Sequence, residues 1–537
     1  MRRSVILLAV TVAVTVAVAV AALGLSVSAA PQTGRSAFET AGAPEIRNRV
    51  DELVFAKLKT LNLQPAAVCA DAVYLRRVYL DTIGTLPTAD EARAFLDDRS
   101  PAKRRALIDR LIERPEFADY WAMRWSDVLR VKSEFPINLW PNAVQAYHRW
   151  IRTSLRDNVP FDRFVRDLLT SNGSNFRVPP VNFYRAVQGK EPYSIASAVA
   201  LVLMGVRTDD WPRERLTDMS VFFAQIGYKA TGEWKEEIVF FDPEKPLPGA
   251  STGAPREVTF PDGTKGRILP GQDPREVFAA WLTAPANPFL ARAVVNRLWC
   301  WIVGRGIVHE PDDIRADNPP SNPALLAYLE KELVASRFNL RHVVTLILDS
   351  TTYQLSAIPR AVSDEAEANF AHAFVRSLDA EVLIDAINQV TGGTEEYSSA
   401  IPEPYTFIPP DQRSIALADG SITSAFLETF GRSPRDTGLA GERNTRPSAA
   451  QRLYMLNSAD IQRKLQQGGK LAALMQGRKD PRDMVSTLYL AILSRYPSED
   501  ELKTVGAYLQ QGAANRRGAG LDIAWALLNT AEFRYRH

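Results

Sequence analysis

Phe161-Asp162-Arg163-Phe164-Val165-Arg166-Asp167-Leu168-Leu169 sets its apolar residues at 161, 164, 165, 168 and 169. That spacing lines one face of a 3.6-residue period and predicts an amphipathic α-helix rather than a strand. Leu325, Leu326, Leu329 and Leu333 repeat the pattern later in the chain. Start signals agree with it. Thr88 with Glu91, and Ser498 with Glu501, have the spacing of capping boxes. Ser100-Pro101, Asp273-Pro274 and Asn322-Pro323 each put a capping side chain before a proline suited to the first helical position. From Glu45 onward the chain reads as mainly α.

One stretch breaks the helical reading. Residues 231–272 are rich in Pro and Gly, and Ile238–Phe241, Arg256–Phe260 and Arg267–Leu269 read as short strands around an Asp262-Gly263 turn. A boundary is expected there, between an N-terminal helical domain over 44–230 and a C-terminal one over 273–537. Residues 31–43 read as a tether. A second irregular stretch, 395–450, is expected to form long ordered loops. One echo links the two ends: Tyr79-Leu80 stands before Pro87-Thr88-Ala89-Asp90-Glu91 as Tyr489-Leu490 stands before Pro497-Ser498-Glu499-Asp500-Glu501. Each copy later reaches a Glu-Phe pair, Glu116-Phe117 and Glu532-Phe533. Two copies are too few for a solenoid and predict two similar helical hairpins.

Met1-Arg2-Arg3, an uncharged apolar run from about Val5 to Leu25, and Ser26-Val27-Ser28-Ala29-Ala30 have the order of an export signal. The run is also near the length of a membrane span, so residues 1–30 read as a signal peptide or an N-terminal anchor. Periplasm or cell surface is the expected location, with membrane contact only through residues 5–25 if they are retained. Ile195–Val206 is too short to span and reads as a buried helix. The 537 residues are 46% hydrophobic and 23% charged, an ordinary globular composition. The net charge of +2 is carried by Arg2 and Arg3, since without them Lys and Arg number 62, equal to Asp and Glu. A neutral chain has no general attraction for nucleic acid.

Familiar catalytic patterns are weak here. Gly249-Ala250-Ser251-Thr252-Gly253 has the letters of a nucleophile elbow but lies in a Pro/Gly loop without the strand-to-helix turn that chemistry needs. His309-Glu310 is followed by Pro311, and Asp313 stands where a zinc protease has its second histidine. The five histidines show no ligand spacing, so no metal is expected. No Walker loop, dinucleotide glycine pattern or C-x-x-C-H is present, so no cofactor is expected either. The two cysteines, Cys69 and Cys300, are either one disulfide or two small buried hydrophobes.

Polar residues concentrate in two places. Asn296, Arg297 and Trp299 are followed by Arg305, Asp312, Asp313, Arg315 and Asp317. Arginines and aspartates in equal number suit either a polar ligand or a buried ion-pair network tying a loop to the preceding helix, and the equal number favours the network. Arg432, Arg435, Asp436, Glu442, Arg443, Asn444 and Arg446 invite the same two readings.

Longer motifs carry a resemblance. Tyr74-Leu75-Arg76-Arg77-Val78-Tyr79-Leu80-Asp81 through Gly84-Thr85-Leu86-Pro87-Thr88, with Trp121-Ala122-Met123-Arg124-Trp125-Ser126-Asp127, resembles domain of unknown function 1549 of the planctomycete cytochrome-associated family. Asn287-Pro288-Phe289-Leu290-Ala291-Arg292-Ala293-Val294-Val295-Asn296-Arg297-Leu298-Trp299 and the loop to Pro320 resemble domain of unknown function 1553. Thr352–Ser356, Thr429–Arg432 and Trp525–Asn529 extend the likeness. The resemblance implies a Cys-Ala-Gln-Cys-His segment between a Leu-Gly-Val helix and a Phe-Phe pair. Here Met204-Gly205-Val206-Arg207 passes through Thr208-Asp209-Asp210-Trp211 to Phe222-Phe223, about ten residues short. A cysteine pair is likewise replaced in the stretch Thr437–Gly441. These readings point to an exported binding or scaffold protein, a haem-less relative of cytochrome-associated proteins with envelope proteins as partners. A polysaccharide hydrolase using Asp312, Asp313 or Asp317, and a cofactor-free partner of a c-type cytochrome, are the alternatives.

Overall fold

The apolar face that begins at Phe161 forms the helix Phe161–Thr170 and buries Phe161, Phe164, Val165, Leu168 and Leu169. Each such side chain contributes about 1.5–3 kcal/mol when withdrawn from water, so packing rather than helix propensity holds this short segment. The computed structural model describes residues 37–537 apart from 252, 476–479 and 511–515. The chain divides into Met1–Ala37 and a compact unit, Phe38–His537. The signal or anchor read over residues 1–30 therefore lies outside the described residues. Helices dominate the rest, and the strands are few and short. No helix among the described residues is long and apolar enough to cross a membrane.

Capping follows the sequence closely. Thr88 and Glu91 form the reciprocal box at the start of Ala89–Asp97, and Ser498 and Glu501 exchange the same two bonds. Asp273 and Asn322 cap Pro274–Leu282 and Pro323–Ala335. Ser100 differs. Its hydroxyl accepts from the Ala102 amide, and the helix begins two residues after the proline, at Lys103.

The Pro/Gly-rich segment holds two small sheets. Glu237–Phe241 pairs with Ile226–Ala230 and with Gly173–Ser174, while Arg256–Thr259 pairs with Lys265–Ile268. Ile226–Ala230 is a strand that the sequence pattern does not announce, because Gly227 interrupts its alternation. Gly227 lies opposite Phe240, and a Cβ there would stand 2.6 Å from the Phe240 ring. A bare backbone lets the ring cross the neighbouring strand.

The two echoed hairpins both form, and they meet. Asp71–Ile83 ends at Gly84 and Pro481–Leu493 at Ser494, each in the left-handed region. Arg76 of the first hairpin donates to the carbonyls of Ile492 at 2.8 Å and Phe533 at 2.7 Å. Each hairpin also carries an arginine clamp on its box glutamate and its Glu-Phe glutamate: Arg114 holds Glu91 and Glu116, and Arg495 holds Glu501 and Glu532. The C-terminal residues Tyr535–Arg536 pair with Arg376–Ser377. One continuous apolar core runs from Val50 to Phe533. Cys69 is buried, Cys300 is half-buried, and both are free thiols.

Candidate functional site

The helix Leu290–Val303 is apolar on almost every side and is buried accordingly, yet it carries Asn296 and Arg297 with no exposed surface. A buried guanidinium is tolerated only with partners. Arg297 finds Asp312 at 3.0 Å and the carbonyls of Leu201, at 2.6 Å, and Val202. Those carbonyls belong to Ala200–Met204, a π-helical turn whose wider winding shifts its hydrogen bonds and presents oxygens to the neighbouring helix. Asn296 exchanges two bonds of 2.9 Å with the backbone of Val308 and so closes the loop that follows the helix. Trp299 packs edge-on against Phe370, and Trp301 packs against Trp121 and Trp125.

The structure joins the two polar stretches through Asp312. Its second oxygen accepts from the Ala440 amide at 2.6 Å. Beyond Ala440, Arg443 contacts Asp127 at 2.7 Å and Glu381 at 2.7 Å. Arg435 also reaches Asp127, at 3.0 Å, and Arg432 reaches Glu381, at 3.4 Å. Asp436 turns outward to Lys132, and Glu442 accepts from the Thr437 amide. Five of the predicted residues are therefore held in ion pairs within the fold: Arg297, Asp312, Arg432, Arg435 and Arg443. Arg305 is half-exposed and enters neither network.

His148 lies beneath this cluster. Burial first, then the charges of Arg435 and Arg152, push its imidazole down to about 3. The fold thus holds His148 neutral, whereas the unfolded chain protonates it below about 6.5. Unfolded molecules bind the extra proton between those values, so the fold loses roughly 1.4 kcal/mol per pH unit as pH falls through that window and loses nothing above it. His148→Gln is expected to flatten this part of the stability–pH curve, measured by urea unfolding at pH 7, 5 and 4. An unchanged slope would contradict it.

Of the remaining predicted residues, Arg315 and Asp317 line an open groove of about 790 Å³. Arg315 projects from the loop over it and gathers three carboxylates: Asp210 at 2.9 Å, Asp317 at 3.3 Å and Asp313 at 3.4 Å. Opposite, Arg292 pairs with Glu330 at 2.8 Å. Arg215 lies 3.9 Å from the centre of the Trp211 ring, a close cation–π stack, and donates to the Pro261 carbonyl. Phe289, Ile314, Leu326 and the prolines at 319, 320 and 323 supply apolar surface. The backbone from Val206 to Pro212, where the resemblance marks the chain as shortened, forms one wall. It is anchored by the Ile314 amide, which donates to the Gly205 carbonyl at 2.9 Å.

Residues 49–199 match the family model described as a protein of unknown function, DUF1549 (PSCyt2), and residues 274–509 match that of DUF1553 (PSD1). The chain belongs to the DUF1549–DUF1553 family. Both domains are cytochrome-associated and carry no assigned function. No curated protein and no solved structure matches the chain. The residues of this DUF1549–DUF1553 chain do not fit covalent haem. Cys69 is followed by Ala70-Asp71-Ala72 and Cys300 by Trp301-Ile302-Val303, so neither begins a C-x-x-C-H set. Among the described residues no group of three His, Cys, Asp or Glu side chains is placed to hold a metal.

Arg124 and Asp127 entered the sequence reading only as letters of a family motif, and Asp379 and Glu381 did not enter it. Arg124, Asp127, Asp379 and Glu381 each sit in an otherwise apolar helix or at its edge, and all are buried. A charge at a buried helical phase was the available signal. Trp211, Arg215 and Arg292 carried no comparable mark, since their elements meet only in the folded chain.

Proposed function

We propose that this chain is an exported cell-envelope binding protein whose open groove takes a polar, hydroxyl-rich ligand such as a segment of polysaccharide. The observation that carries the reading is the groove's lining. Trp211 and Phe289 provide rings, four prolines provide rigid apolar surface, and arginine–carboxylate pairs stand around them. Sugars present alternating apolar faces and hydroxyls, which such a mixture of rings and charged hydrogen-bonding groups complements. The N-terminal segment, with its order of Arg2-Arg3, apolar run and small residues, supports export. Asp312 is withdrawn into the pair with Arg297, and Asp210, Asp313 and Asp317 converge on Arg315. That arrangement favours holding a ligand over the two opposed carboxyls that glycoside hydrolysis uses.

The test is binding of the purified mature protein to a panel of neutral and uronate polysaccharides, by calorimetry. Trp211→Ala and Arg315→Ala should each weaken a positive interaction about tenfold or more while leaving the melting temperature within about 2 °C of wild type. A panel with no binder, or binding indifferent to both substitutions, would overturn the proposal.

A further inference from the structure

A second cavity, of about 400 Å³, is lined by part of the ion-pair network. Among the described residues its walls include Arg124, Arg376, Arg443, Arg446 and Arg536 against two carboxylates, Asp127 and Asp379. The carboxylates behind the wall do not correct the imbalance. Arg124 and Arg536 share Asp379, at 2.6 and 2.9 Å. Arg376 and Arg536 share Asp81, each at 3.3 Å. Arg435 and Arg443 share Asp127, and Arg432 and Arg443 share Glu381. Six arginines therefore divide four carboxylates, and a seventh, Arg446, stands exposed at the mouth.

Buried charge without a counter-charge is costly, and an excess of buried cations in a cavity wall is stabilised by an anion that enters it. Two further observations agree. Among the described residues the buried Nε groups of Arg124 and Arg376 find no hydrogen-bond acceptor. Burial, more than any neighbouring charge, lowers the Arg376 guanidinium in the wall. The planar fork of arginine matches oxyanions with several acceptor atoms. The cavity has far more room than a bare ion needs, and Val128, Val375, Leu439 and Pro447 give part of it an apolar lining.

We propose that this cavity binds the tetrahedral oxyanion of a sulfate or phosphate ester borne on a small, sugar-sized group. It is separate from the groove proposed above and does not depend on that reading. Arg446 meets the incoming anion first. Arg124, Arg376 and Arg536 then hold it, with Asp379 keeping two of the guanidinium groups in place.

Calorimetry of the mature protein with glucose 6-sulfate, glucose 6-phosphate, inorganic sulfate, inorganic phosphate and glucose decides it. One or both esters should bind at one per chain, and glucose should not. The stronger ester identifies which oxyanion the site prefers. Arg446→Gln, at an exposed position outside the paired network, should weaken that ester about tenfold and leave the melting temperature unchanged. Arg124→Lys keeps the charge but loses the fork, and should weaken binding as well. Trp211→Ala, in the groove, should have no effect. Esters that bind no better than sodium chloride at equal ionic strength would overturn the proposal. So would unchanged binding in a folded Arg446→Gln variant, or loss of binding in Trp211→Ala, which would assign the anion to the groove.

Discussion

Arg297→Ala is expected to destabilise the fold by about 3–5 kcal/mol, because it leaves Asp312 as a buried charge without its cation. The side chain is fully buried, and its removal also strips the Leu201 and Val202 carbonyls of their donor. Asp312 would keep only the Ala440 amide. Asp312→Asn should cost less than Arg297→Ala, since an amide oxygen can still accept from either neighbour. In the double variant the two losses should fail to add by about 1 kcal/mol or more, as paired groups in contact do. Urea unfolding of the four proteins measures the cycle. Additive losses would mean that the pair is not the unit that ties the 304–320 loop to its helix.

Asp379→Asn is the second large effect, again about 3–5 kcal/mol, because it raises the cationic excess of a cluster already short of carboxylates. Burial opposes ionisation of Asp379, but Arg124, Arg536, Arg443 and Arg376 outweigh it and hold the carboxyl well below the usual carboxylate range. Its folded value is therefore depressed. The contribution is complete above the unfolded value of about 4 and is lost as pH falls through that value toward the folded one. Asp379→Asn should accordingly lower stability at pH 7 and make the variant less sensitive to acid below pH 4 than the parent. Equal stability of the two proteins at pH 7 would show that Arg124 and Arg536 find other partners.

Much of the architecture could be read directly. Helical phase at Phe161–Leu169, the boxes at Thr88 and Ser498, and the proline-marked starts at Asp273 and Asn322 all act within a few residues of chain, where sequence neighbours are also neighbours in space. Ile226–Ala230 was not legible, because its strand character comes from the partner Glu237–Phe241. The expected helix start after Ser100 moved for a local reason, the hydroxyl being spent on the turn before the helix.

The polar stretches show the same division. Composition alone marked Arg297, Asp312, Arg315, Arg432, Arg435 and Arg443 as charges needing partners. It could not divide them. The fold sends Arg297 and Asp312 inward, leaves Arg315 and Asp317 at a groove, and turns Arg443 toward Glu381 and Asp127, 62 and 316 residues earlier in the chain.

The sequence by itself determined the mainly helical class, the two hairpins, the order of the two family segments and the lack of a haem attachment set. These depend on residue identity at short spacing. Only the tertiary structure decided which charges are neutralised and which face a cavity. That outcome depends on which distant side chain occupies the space beside each one: Asp379 beside Arg536, Asp210 beside Arg315, Trp211 beneath Arg215. Coulomb energy and desolvation act through space, and a linear chain does not state its distances.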